Sequence, residues 1–226
     1  GKTRVNTKHG KNLIGSFYQP KLVISDSDFL KTLPRREIIC GYGEILKHSL
    51  IMNKTFYNYL EKNILNILDL KSPFVEKAIF ESCKIKKSVI EKDEKEKEIR
   101  KILNFGHTFA HAYEATLGYS SKLNHGEAVI LGMNTALKFS LKNNHIKINE
   151  FNSVINHINK SKLPFKIKDY FSLKHLNKIL SYMSKDKKNN SDKINIILLK
   201  KIGSTIINKH YTINNLKQFL RKELSN

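Results

Sequence analysis

Two glycine-flanked helix starts carrying three histidines, all between Arg100 and Glu127, restrict this chain more than any other feature in it. The run reads Arg100-Lys-Ile-Leu-Asn104-Phe-Gly106-His107-Thr108-Phe-Ala-His111 and resumes as Asn124-His125-Gly126-Glu127-Ala128-Val129. Gly106 precedes a helical pattern, so His107 and His111, four apart, share one helix face. His125-Gly126-Glu127 reads as the mouth of the next helix, with the Glu in the first turn where the dipole favours negative charge. An i, i+4 histidine pair is a metal-ligand spacing, but two donors do not close a site. A catalytic zinc takes three protein donors and keeps one position open. The bland alternative is surface or core-edge histidines held by backbone carbonyls, and the third histidine so close by weighs against it.

The 226 residues suffice for one large domain or two small ones. Hydrophobic residues make up 40% and charged residues 27%, as in an ordinary soluble globular protein. No apolar run approaches the roughly 18 residues of a membrane span, and the polar, lysine-rich start carries no signal-peptide pattern. Cys40 and Cys83 are too few for a disulfide scaffold, so a reducing, cytoplasmic setting is expected. Forty-one Lys and Arg against 20 Asp and Glu leave a net charge of +21. Such an excess suits nucleic acid or small acidic ligands, or reflects a lysine-biased genome. With no zinc-finger or RNP-type motif and no Trp, nucleic acid is the weaker reading.

Taken in order, Gly10-Lys11-Asn12 reads as a polar loop, followed by short strands at Leu13–Tyr18 and Lys21–Ser25. Two strands make no stable sheet alone, which suggests a piece of something longer. Pro34 is placed to open a helix reaching about Met52. On it Glu44, Lys47 and His48 point the same way, and Gly41 and Gly43 imply a close approach, since glycine weakens a helix interior. A surface Glu–Lys pair would equally explain Glu44 and Lys47. Helices follow at 53–70, with Phe56, Leu60, Ile64 and Ile67 on one stripe, and after Ser72-Pro73. Residues 93–98 are a charged turn bracketed by Lys86 and Arg100. Further helices cover 126–143, where Gly132 allows close packing, then 148–160 and 173–183. A basic loop around 184–190, two strands at 193–200 and 204–209 joined at Gly203, and a helix from about Asn214 complete the chain. The expected fold is mainly α, with a short β ribbon near each end.

These segments together resemble 3-dehydroquinate synthase. The matching runs are Gly1-Lys2-Thr3, Gly10-Lys11-Asn12, Phe17-Tyr18-Gln19-Pro20-Lys21, Leu30-Lys31-Thr32-Leu33-Pro34 and Glu44-Ile-Leu-Lys47. They continue with the Arg100–Ala112 run, His125-Gly126-Glu127-Ala128-Val129 and Asp186-Lys187-Lys188. Arg4 and Tyr42-Gly43 depart from the family's usual residues. The resemblance implies a multi-helical C-terminal domain at 34–226. It also implies a linking β segment at 1–33, which would complete a Rossmann-like NAD-binding domain missing from this chain; without that domain little activity is expected. By position, Glu44, His107 and His125 are implied as metal ligands, for zinc or else cobalt. Lys47, Lys86, Arg100, Asn104 and His111 are implied as catalytic. Lys2, Lys11, Asn12 and Lys187 or Lys188 would contact substrate, and Lys2, Lys11 and Phe29, Leu30, Lys31 and Thr32 would contact NAD.

The implied reaction converts 3-deoxy-D-arabino-heptulosonate 7-phosphate to 3-dehydroquinate and phosphate, in the shikimate pathway to aromatic amino acids. Its implied course is NAD-cycled oxidation, phosphate elimination, reduction and aldol closure. A substrate with a carboxylate and a phosphate suits a lysine-rich pocket. The family resemblance also implies a homodimer at full length, with neither nucleic acid nor membrane as partner. Rival readings are another sugar-phosphate cyclase such as a 2-deoxy-scyllo-inosose synthase, a metal-dependent polyol dehydrogenase, and a basic nucleic-acid-binding helical module with structural histidines.

Overall fold

The computed structural model describes residues 2–7, 10–161, 163–164, 166–185 and 193–225 of the chain. They fall into two compact units, Gly1–Thr32 and Leu33–Asn226. In the first, β1 (Lys2–Thr7) and β2 (Gly10–Phe17) pair as an antiparallel hairpin, with Lys2 opposite Phe17 and Val5 opposite Ile14. Gly10–Asn12, expected in a loop, thus open a strand. Lys21–Ser25, expected as a strand, is irregular, with Ile24 80% exposed. The true partner of β2 is Lys2–Thr7, whose polar composition hides it. A strand is defined by the neighbour it bonds to, and β1 pairs with β2 whatever its residues. A 3-10 helix, Ser27–Thr32, ends this unit.

The second unit is helical. It runs through α1 (Arg35–Met52), α2 (Lys54–Leu68), α3 (Phe74–Lys92), a 3-10 helix at Ile99–Asn104, α4 (His107–Thr116), α5 (His125–Lys142) and α6 (Ile148–Lys160). After two short 3-10 turns come α7 (Leu176–Lys185), the hairpin β3 (Lys193–Lys201) and β4 (Ser204–Thr212), and α8 (Ile213–Ser225). The chain is mainly α with one small β ribbon near each end, as expected. Pro34 flanks α1 instead of opening it, because its extended ψ of 149° lies outside the helical region. No described helix is long and apolar enough to cross a membrane.

The central element is α5, buried on every face from Gly126 to Leu137. A helix buried all round, even at its polar Glu127, Asn134 and Thr135, belongs to the interior, and α1, α4, α6 and β3 pack around it. At Gly132 an added Cβ would sit 2.3 Å from the Gly106 carbonyl oxygen, so α5 passes the start of α4 at backbone distance. The β3–β4 hairpin ties the same elements together. The Leu199 amide donates to Ser140 Oγ on α5 at 3.0 Å, and the Gly203 amide to the Leu50 carbonyl on α1 at 2.8 Å. Phe56, Leu60, Ile64 and Ile67 of α2 are all buried, as their spacing predicts.

Candidate metal centre

Three helices deliver one side chain each to a common point. Glu44 lies midway along α1, while His107 and His125 are the first residues of α4 and α5. Gly106 makes the α4 start possible: its φ of 79° is left-handed, and a Cβ there would lie 2.7 Å from the Met133 backbone nitrogen. At α5, Asn124 and Glu127 form a reciprocal capping box. The Glu127 carboxylate also takes two hydrogen bonds from Arg36 at the start of α1, at 2.7 and 2.6 Å. That fork fixes the end of α5 bearing His125 against the helix bearing Glu44.

One donor atom from each of Glu44, His107 and His125 lies within 4.8 Å of the others. Tetrahedral donors about 2.1 Å from a zinc ion are about 3.4 Å apart, so closing the set takes side-chain shifts of roughly an ångström. Two observations fit an ion here. Glu44 Oε1 is buried with no hydrogen-bond partner, 3.8 Å from His107 Nε2, while Oε2 accepts from Lys47 Nζ at 2.6 Å. Each imidazole also has its Nδ1 engaged elsewhere, that of His107 3.3 Å from the Phe105 carbonyl and that of His125 3.1 Å from Glu114 Oε2. An orphaned carboxylate oxygen and two imidazoles form a donor set suited to zinc or cobalt.

The local electrostatics keep Glu44 and His107 in metal-binding form. Burial alone would raise the Glu44 pKa, but the Lys47 ammonium and His107 outweigh it and hold the carboxyl well below its usual range. Burial, aided by the Lys47 charge, pushes His107 down, leaving a neutral imidazole at neutral pH. The Lys47 ammonium, 3% exposed, is pulled down by burial and supported by Glu44. Burial likewise pushes His48 down to about 4, with its Nδ1 2.7 Å from Ser82 Oγ.

The other expected residues divide. The His111 ring is exposed, centred 5.5 Å from that of His107 and 6.2 Å from that of His125. Lys86, exposed on α3, lies close enough to lower the pKa of Lys47 and His48. Arg100 and Asn104 turn to the charged 93–98 segment. The Arg100 guanidinium donates to the Glu94 carbonyl, and Asn104 Nδ2 donates to Glu96 Oε1 at 2.7 Å. Phe29, Leu30, Lys31 and Thr32 belong to the first unit, where Lys31 pairs with Asp28 at 2.7 Å. Lys2 sits on β1, and Lys11 and Asn12 on β2; their side chains, like Lys187 and Lys188 entirely, lie outside the described residues. Sequence reasoning passed over Glu114 and Arg36. Glu114 was detectable, because seven residues is two helical turns and puts it on the face of His107.

Known proteins match the whole chain. The family description "3-dehydroquinate synthase N-terminal" matches residues 1–40, and "3-dehydroquinate synthase C-terminal" matches 41–189. A 3-dehydroquinate synthase from Pelagibacter ubique is 60% identical over 225 residues, 100% of this chain and 61% of that protein. One from Alkaliphilus metalliredigens is 44% identical over 198 residues, 88% of this chain and 54% of that protein. The chain therefore spans between half and two thirds of these relatives. Among solved structures, a 2-deoxy-scyllo-inosose synthase complexed with carbaglucose-6-phosphate, NAD+ and Co2+ superposes with a TM-score of 0.83. It is 28% identical, covering 98% of this chain and 62% of that one. ValA, a 2-epi-5-epi-valiolone synthase from Streptomyces hygroscopicus with NAD+ and Zn2+ bound, has a TM-score of 0.85 at 20% identity, with 98% and 61% covered, a likeness of fold. With family descriptions matching residues 1–40 and 41–189 and relatives this similar, the chain belongs to the 3-dehydroquinate synthase family.

Proposed function

We propose that this chain carries the metal- and substrate-binding part of a 3-dehydroquinate synthase. The reaction would form 3-dehydroquinate and phosphate from 3-deoxy-D-arabino-heptulosonate 7-phosphate. Residues 34–226 would hold ion and substrate, and residues 1–33 would complete a dinucleotide-binding domain. The carrying observation is the convergence of Glu44, His107 and His125 beside the buried Lys47. Identity to the Pelagibacter relative, at 60%, favours this reaction over that of the inosose synthase, at 28%. A divalent zinc or cobalt ion held by the three donors supplies a Lewis acid for a substrate hydroxyl, and NAD a reversible hydride acceptor. NAD rests on the family and on the two similar structures whose descriptions name it. Phe29, expected against NAD, is 73% exposed.

The protein's own groups have definable parts. Lys47 occupies Glu44 Oε2, which leaves Oε1 for the ion, and its buried positive charge would stabilise anion developing on the substrate. His111, exposed with its ring beside both ligand imidazoles, would exchange a proton with the substrate phosphate. Lys86 adds a cation near Lys47. The full-length enzyme with zinc and NAD should release phosphate from the heptulosonate phosphate without net NADH. Accumulating NADH would favour the dehydrogenase reading. Zinc analysis of this chain beside His125→Ala tests the ligands, and equal zinc in both would remove the assignment.

A further inference from the structure

Glu114 is 4% exposed in the last turn of α4, a turn with no basic residue of its own. A carboxylate there meets the negative end of the helix dipole and is also taken out of water, and both effects oppose folding. Its surroundings must return something for that cost. Oε2 lies 3.1 Å from Nδ1 of His125, across the gap to the first residue of α5. A carboxylate accepts, so Nδ1 of the neutral ring carries the hydrogen and the lone pair is left on Nε2. His107 is arranged in parallel, with Nδ1 3.3 Å from the Phe105 carbonyl and Nε2 directed at Glu44.

We propose that Glu114 is a positioning residue for the metal centre, holding His125 as its Nδ1–H tautomer so that Nε2 is presented to the ion. The proposal rests on the metal reading above. His125 needs such help more than His107, because its side chain is 52% exposed against 14% and has less packing to hold its ring. Outer carboxylates of this type fix ring orientation and raise the basicity of the coordinating nitrogen.

The test begins without metal. Nitrogen-15 NMR of the imidazole nitrogens at about pH 8.5, about two units above the free-imidazole value, should show His125 of the wild type as the Nδ1–H form. Glu114→Ala should lose that preference, and Glu114→Gln, whose amide oxygen still accepts, should keep it. In zinc competition against a chromogenic chelator, Glu114→Ala should bind about 10- to 100-fold more weakly, with Glu114→Gln in between. Circular dichroism checks that the alanine variant folds; if it does not, the wild-type and Glu114→Gln spectra carry the test. An Nε2–H wild type, or unchanged tautomer and zinc affinity in Glu114→Ala while His125→Ala loses zinc, overturns this proposal alone. Wild-type zinc affinity in His125→Ala overturns the metal reading and this one together.

Discussion

His157 sits at 1% exposure on α6 with its Nε2 2.7 Å from the Tyr42 hydroxyl and its ring stacked on that of Tyr42. Burial holds its pKa down to about 4, with Lys160 adding to the effect, so the folded protein keeps the ring neutral at neutral pH. The unfolded chain takes up the proton first, near the ordinary value of about 6.5. Its contribution to stability is therefore full above pH about 6.5, is lost as the pH falls, and stops changing below about 4. Between pH 7 and pH 5 this one ring should cost about 2 kcal/mol. Urea unfolding of wild type and His157→Gln at both pH values checks it: the variant should show an acid loss smaller by about that amount. Equal losses would mean that the ring titrates normally in the fold. Nothing local in the sequence marks this histidine as buried, because its partner Tyr42 lies on another helix far along the chain.

Between elements, the decisive contact is the crossing of α1 and α5. At Gly126 an added Cβ would lie 2.4 Å from Cys40 Cβ and 2.5 Å from Cys40 Cα, and at Gly43 it would lie 2.6 Å from Ile130 Cγ1. The Gly126 clash is with α1 backbone and cannot be relieved by a rotamer change. Gly126→Ala should therefore cost about 1–3 kcal/mol in urea unfolding. Zinc affinity should fall as well, because the shift moves His125 directly. A stable variant with unaltered zinc affinity would show that the crossing does not set the site. This scale is where the sequence was readable only in part. Helix starts at His107 and His125 were legible because Gly106, Asn124 and Glu127 are local signals. The close approach expected at Gly41 and Gly43 is real only at Gly43, since a Cβ at Gly41 would meet nothing within 4 Å. Which glycine touches another helix depends on a crossing that no short window encodes. For the same reason the β1 partner of β2, and Glu96 as the partner of Asn104, were out of reach.

For the whole molecule, core and ion cluster share one unit. Every buried apolar side chain among the described residues falls between Cys40 and Leu224, and Glu44, Lys47, His107, Glu114 and His125 all lie within Leu33–Asn226. The Gly1–Thr32 unit holds a two-stranded ribbon with no buried apolar side chain among its described residues, and such a ribbon is marginal in water. Residues 33–226 made alone should thus unfold in a single cooperative transition and bind zinc as the whole chain does. Residues 1–32 made alone should show no transition. Urea melts followed by circular dichroism, with the same chelator competition, provide the comparison. The +21 charge sets the conditions, because self-repulsion at low ionic strength loosens a compact basic protein. At about 0.15 M salt the screening length is about 8 Å, which damps that repulsion while leaving the buried Lys47–Glu44 contact nearly untouched. A broadened transition, or zinc affinity down tenfold or more in the shorter chain at that salt, would mean that the first unit supports the ion site. Lys2, Lys11 and Asn12 would then be the first residues to replace singly.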